Sequence, residues 1–93
     1  MEHINIKFNI GDIVYSRAGR DKGRYYVVMW VKENFIGICD GEIHKVDKIK
    51  KKKCKHVLLT GKTNEYIKEK IFLNKKIINA EIKKIVCSHN FDE

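Results

Sequence analysis

The sequence predicts a mainly β domain, a small curled sheet or barrel followed by a C-terminal pair of short α-helices. Three observations point there. Short apolar runs rich in aromatic and β-branched residues recur between residues 10 and 60, separated by turns built on Gly, Asp and Asn. None of them is long; the largest uninterrupted run is Tyr25 to Val31. After Thr63 the apolar residues switch to helical spacing.

Each element has its own signal. INIKFNI alternates Ile4, Ile6, Phe8 and Ile10 with polar residues, the period of a strand with one buried face. Gly11-Asp12 breaks that parity, and Ile13 to Tyr15 predicts the next strand, followed by a loop from Ser16 to Arg24. Tyr25 to Val31 is apolar on both faces, which predicts a central strand covered by a core on one side and by another element on the other. Lys32-Glu33-Asn34 predicts a turn into a strand from Phe35 to Cys39. Asp40-Gly41 predicts a two-residue hairpin, whose central positions need positive φ, with Glu42 to Val46 as the return strand. The lysine-rich segment Lys48 to Lys55 leads to a last strand from His56 to Leu59.

Thr63 or Asn64 caps a helix with Glu65 in its first turn and Ile67 and Ile71 on one face, ending at Leu73 to Lys76. Asn79 caps a second helix carrying Ile82, Ile85 and Val86 and ending near Ser88. Both are too short to stand alone in water and must pack on something. Residues 1–62 are therefore expected to form the barrel and 63–93 a helical extension packed on it, one structural domain in all.

Charge is the informative part of the composition. The 93 residues carry 20 Lys and Arg against 12 Asp and Glu, a net of +8. Residues 12–62 hold thirteen basic and six acidic groups, whereas residues 63–93 hold six and five. A positive field concentrated on a small barrel predicts a polyanionic partner, most simply nucleic acid. No apolar run approaches the roughly 20 residues that span a bilayer, and MEHINIKF lacks the layout of a signal peptide, so a cytoplasmic chain with no membrane partner is expected. Cys39, Cys54 and Cys87 are odd in number and contain no C-x-x-C pair, which favours free thiols.

Catalytic and metal motifs are weak. TGKT, Thr60 to Thr63, has the ending of a nucleotide-binding Walker loop, but the glycine required five positions before Gly61 is replaced by His56. A turn and helix cap explain it better. Cys54-Lys55-His56 and Cys87-Ser88-His89 supply two thiols and two imidazoles, yet their one-residue spacing is not that of the usual zinc sites. Cys39 has no activating base beside it in the sequence. No enzyme, cofactor or metal is expected.

Two basic elements remain. Lys48, Lys50, Lys51, Lys52, Lys53 and Lys55 place six cations in eight residues, and their mutual repulsion is only partly screened at a Debye length of ~8 Å. Arg17, Arg20, Lys22 and Arg24 sit on the loop around Gly19 and Gly23, where arginines can fork onto phosphate oxygens while glycine lets the backbone approach. Together they predict contact with an RNA or DNA backbone. Tyr15, Tyr26 and Trp30 are candidates to stack on an unpaired base.

GDIVYSRAGRDKGRYYVVMWV, followed after a turn by FIGICDG, resembles the KOW motif of translation-associated small barrels, with Gly11, Asp12, Val14, Gly19, Lys22, Gly23 and Asp40-Gly41 on the motif positions. Arg24-Tyr25-Tyr26 after the Lys-Gly pair is similar to the branch containing the archaeal and eukaryotic large-subunit ribosomal protein fourteen-e family and its small bacterial relatives. The resemblance covers about residues 10 to 60. It implies an SH3-like β-barrel that binds ribosomal or other structured RNA through Arg17, Arg20, Lys22, Gly23 and Arg24; the lysine cluster is added from charge alone. The expectation is a noncatalytic, ribosome-associated RNA-binding protein, monomeric in isolation, with ribosomal proteins as further partners. The alternative from another class is a protein–protein adaptor on the ribosome or transcription machinery.

Overall fold

The computed structural model describes residues 7–20 and 22–90, the side chains of 89 and 90 excepted. Five strands, β1 (Asp12–Ser16), β2 (Tyr25–Lys32), β3 (Phe35–Cys39), β4 (Lys50–Lys53) and β5 (Val57–Thr63), form one antiparallel sheet in the order β4-β3-β2-β1-β5. Two helices follow, α1 (Glu65–Phe72) and α2 (Asn79–Asn90). The strands β4 and β5 lie at opposite edges of the sheet, yet only a 3-10 turn, Cys54–His56, joins them. A three-residue link cannot span a flat five-stranded sheet at nearly 5 Å per strand, so the sheet must curl until its edges approach at that corner. No pairing between β4 and β5 closes it among the described residues.

The central strand β2 is covered on both faces, as its sequence predicts. Tyr26 and Val28 join Phe8, Val14, Ile36, Ile38, Cys54 and Val57 in a core inside the curl. Val27 and Met29 face the other way and pack with Ile13, Cys39, Ile67, Ile82 and Val86, which fastens both helices to the outer face of the sheet. None of the helices among the described residues is long and apolar enough to cross a membrane.

At the entrance to β1, the buried Asp12 carboxylate accepts the Asn9 N–H at 2.9 Å and the Thr63 hydroxyl at 2.7 Å, tying the start of the sheet to its last strand. Just before Thr63, β5 carries a bulge at Thr60-Gly61, where the Thr60 hydroxyl donates to the Ile13 carbonyl at 2.8 Å. TGKT is thus an irregular strand end, not a phosphate loop. Asn64 caps α1 by accepting the Ile67 N–H at 2.9 Å, and Asn74 at φ 55° turns the chain out of it.

Several expectations need correction. Residues 7–10 are not strand, although Phe8 is buried in the inner core; Ile4 and Ile6 lie outside the described residues. Asp40-Gly41 does not make a hairpin, and Glu42 to Val46 is not a strand. Asp40 Oδ1 instead accepts the N–H groups of Glu42, Ile43 and His44 at 2.9–3.0 Å, winding the chain into a loop. Gly41 has the positive φ expected of it, 78°, but uses it to press its backbone against the first turn of α2, where a Cβ would collide with the Asn79 carbonyl. The Asn79 side chain is likewise diverted from capping α2 and accepts the Val46 N–H at 2.8 Å. The true partner of β3 is the lysine run itself, Lys50–Lys53, in register Ile36↔Lys52 and Ile38↔Lys50.

Candidate nucleic-acid interface

The loop between β1 and β2 is closed at its base by Ser16 N–H to Arg24 O and Gly23 N–H to Ser16 O, both 2.9 Å. Within it the Lys22 N–H reaches Gly19 O at 3.2 Å, and Gly19 and Gly23 supply φ of 80° and 89°, which side-chain-bearing residues rarely adopt. The tight backbone turns Arg17, Arg20, Lys22 and Arg24 outward, and all four are exposed. Two further bonds fix the loop to its surroundings. Arg17 N–H donates to the His56 carbonyl at 2.9 Å, and the Lys52 ammonium donates to the Ala18 carbonyl at 2.8 Å.

Strand geometry divides the lysine cluster. Alternation puts Lys50 and Lys52 on the row of Ile38 and Ile36, and Lys51 and Lys53 on the opposite row. Lys52 is only 8% exposed: its stem lies over the inner core and its head braces the Arg17–Arg24 loop. It is therefore a strut and not an open phosphate ligand. Lys51 Nζ sits 4.3 Å from the Phe35 ring centroid. Lys53 is exposed at the end of β4, Lys55 is exposed on the 3-10 turn, and Lys48 lies beyond the other end of the strand.

His56, which the sequence offers only as part of a C-x-H triplet, a non-matching Walker position and a strand start, lies where the loop meets the lysine segment. Its imidazole is held below its ordinary pKa by partial burial and by the positive charges of Lys55, Lys52, Lys53 and Arg17. Cations from the loop, the edge strand and the 3-10 turn thus act on one point. Arg20 and Lys22 extend the same loop outward. Arg24 departs from the group: its guanidinium lies 3.9 Å from Asp40 Oδ2, beside a cavity that Glu42 and Lys83 also line. The structure ties the Arg17 backbone to His56, next to Lys55, braces the Arg17–Arg24 loop through Lys52, and turns Arg24 toward Asp40.

The other candidates fall away on burial. Tyr26 is 1% exposed and cannot stack on a base, and Trp30 is half-buried against the helix-side core. Tyr15 is half-buried with its ring 5.1 Å from that of Tyr25. Burial pushes the Cys39 thiol up to about 12 and raises that of Cys54, so neither is a ready nucleophile at neutral pH. Cys54 is buried in the inner core while Cys87 is exposed on α2, and no cluster of three potential metal ligands exists among the described residues.

No protein-family model matches the chain, and a search of curated proteins returns no match.

Proposed function

We propose that this chain is a noncatalytic, monomeric, cytoplasmic RNA-binding protein that associates with the ribosome, built on an SH3-like barrel of the KOW type. The sheet order and the 3-10 turn linking its two edge strands support that architecture. One observation carries the functional reading: two hydrogen bonds, Lys52 ammonium to Ala18 carbonyl and Arg17 N–H to His56 carbonyl, pin the arginine-bearing loop to the Lys50–His56 stretch, crowding cations from two segments at one corner. Such crowding is repulsive in the free protein and is relieved by a polyanion. Arg17 and Arg20 fork onto phosphates, while Lys22, Lys53 and Lys55 act as point charges along the backbone. Recognition is mainly of RNA shape, because side chains cannot read the deep groove of an A-form helix.

The test is a salt titration. Five phosphate contacts give log K against log salt a slope of roughly −3.5 to −4.5. A slope near zero for structured RNA would overturn the assignment. The adaptor reading has one observation of its own: among the described residues β5 is an edge strand with no partner strand on its outer side, and its Leu58 and Leu59 are exposed at 43% and 38%. Lys53→Gln with Lys55→Gln separates the two: it cripples RNA binding under the first and spares partner binding under the second.

A further inference from the structure

We infer that the basic band ends in a seat for one unpaired nucleotide, its base against the Phe35 ring and its flanking phosphates on Lys53 and Lys55. The inference rests on the RNA-binding reading and specifies what that site takes. A cavity of about 340 Å³ is lined by Asn34, Phe35, Lys53, Cys54 and Lys55. That is near the lower end of ligand-sized pockets, suited to a single nucleotide and not to an extended ligand.

Phe35 is the unusual member. Among the described residues it is a member of neither hydrophobic core. Its ring is half-buried, the residue lines the cavity, and the exposed Lys51 ammonium lies over one ring face, 4.3 Å from the centroid. A base entering the cavity can stack on an aromatic ring whatever its identity.

The walls are set by the fold. Cys54 N–H donates to Asn34 O at 2.8 Å, clamping the β2–β3 turn against the 3-10 turn, and Phe35 is paired with both Lys32 and Lys53 in the sheet. Among the described residues no carboxylate lines this cavity, whereas Asp40 and Glu42 line the one beside Arg24 and would repel phosphate there. Asn34, which also lines the cavity and is exposed, carries a carboxamide with both a donor and an acceptor for a base edge.

The experiment compares a short RNA hairpin with an unpaired loop and a fully paired duplex of similar length, each binding the full chain by fluorescence anisotropy. Phe35→Ala should weaken hairpin binding about 5- to 150-fold, the range expected for loss of one stacked base, and leave duplex binding within about twofold. Phe35→Leu keeps the apolar volume without the π face and should behave like Phe35→Ala, while Phe35→Trp should restore affinity; matching melting curves establish that each variant folds. Equal affinities of wild type and Phe35→Leu for the hairpin would overturn the nucleotide seat and leave the phosphate-binding reading standing. Failure of the wild type to bind either RNA would overturn both.

Discussion

Lys52 offers the sharpest test of how the interface is built, because its charge and its geometry predict different things. Lys52→Met keeps the buried stem and deletes only the ammonium that donates to the Ala18 carbonyl at 2.8 Å. A hydrogen bond from a charged group contributes about 1.5–3 kcal/mol. Removing one of several crowded cations relieves repulsion and offsets part of that, leaving a net loss of about 1–2 kcal/mol. In a domain of this size the melting temperature should fall by roughly 4–16 °C. Affinity for RNA should also fall, since the loop bearing Arg17, Arg20 and Lys22 loses its brace and must be ordered on binding. The salt slope, however, should not move, because a buried strut neutralises no phosphate. Lys53→Gln should do the reverse, leaving the melting temperature nearly unchanged and making the slope shallower by about 0.7–0.9. Anisotropy titrations at four or more salt concentrations, paired with thermal melts, separate the two. If Lys52→Met flattened the slope as much as Lys53→Gln and left the melting temperature alone, the strut argument would be wrong.

Four other outcomes follow from the same structure. Gly41→Ala combines a positive φ with a collision against the first turn of α2, so it should destabilise by well over 1 kcal/mol in a denaturant melt. Glu81 is held at about 2, below its ordinary 4.5, first by the 2.7 Å bond from Lys70 and then by the Ile78 N–H and the Tyr66 hydroxyl. Its contribution is therefore complete above pH 4.5 and lost as pH falls toward 2; thermal melts across that window should show the loss in the wild type and a smaller one in Lys70→Met. The His56 imidazole should titrate below its ordinary 6.5 in the free protein by NMR and shift upward when RNA brings phosphates beside it, so binding should strengthen as the imidazole takes up its proton on acidification. Iodoacetamide at neutral pH should label Cys87 quickly, with Cys39 and Cys54 reacting only after unfolding.

Much of the fold was legible where local pattern and burial agree. The two-faced apolar run Tyr25 to Val31 predicts cover on both sides and receives it, from the inner core and from the helices. Asn64 caps α1 because a carboxamide at that position satisfies an otherwise unpaired N–H, a strictly local effect. Asp40-Gly41 shows the opposite case. The pair does adopt the backbone expected of it, with Gly41 at positive φ. What it builds depends on Asn79, almost forty residues away, which binds Val46 and gives the loop a helix to lie on. Four consecutive lysines have low strand propensity and no alternation of apolar and polar side chains, so nothing in their own pattern announces β4. The strand forms because β3 has an open edge, and the aliphatic stem of Lys52 does the covering that an apolar residue would do.

The site was legible as charge and illegible as arrangement. Composition places thirteen basic groups in residues 12–62, but only the register of β4 decides that neighbouring lysines point to opposite faces. Six cations in a flexible loop could follow a phosphate chain as a set; on a strand they cannot. One becomes a buried brace, one lies over an aromatic ring, and Lys53 and Lys55 meet the arginine loop at His56. Lysines on an exposed edge also discourage other chains from adding a strand there, and that role uses different atoms, since strand addition needs the backbone edge while phosphates engage the ammonium heads. The two roles are therefore compatible in one segment. It follows that high charge on β4 is not by itself an argument for RNA: Lys50 and Lys51 would be just as useful on an edge strand with no ligand. Lys52 is different: its ammonium is drawn inward to hold an arginine-bearing loop in place, an arrangement that edge protection alone does not call for.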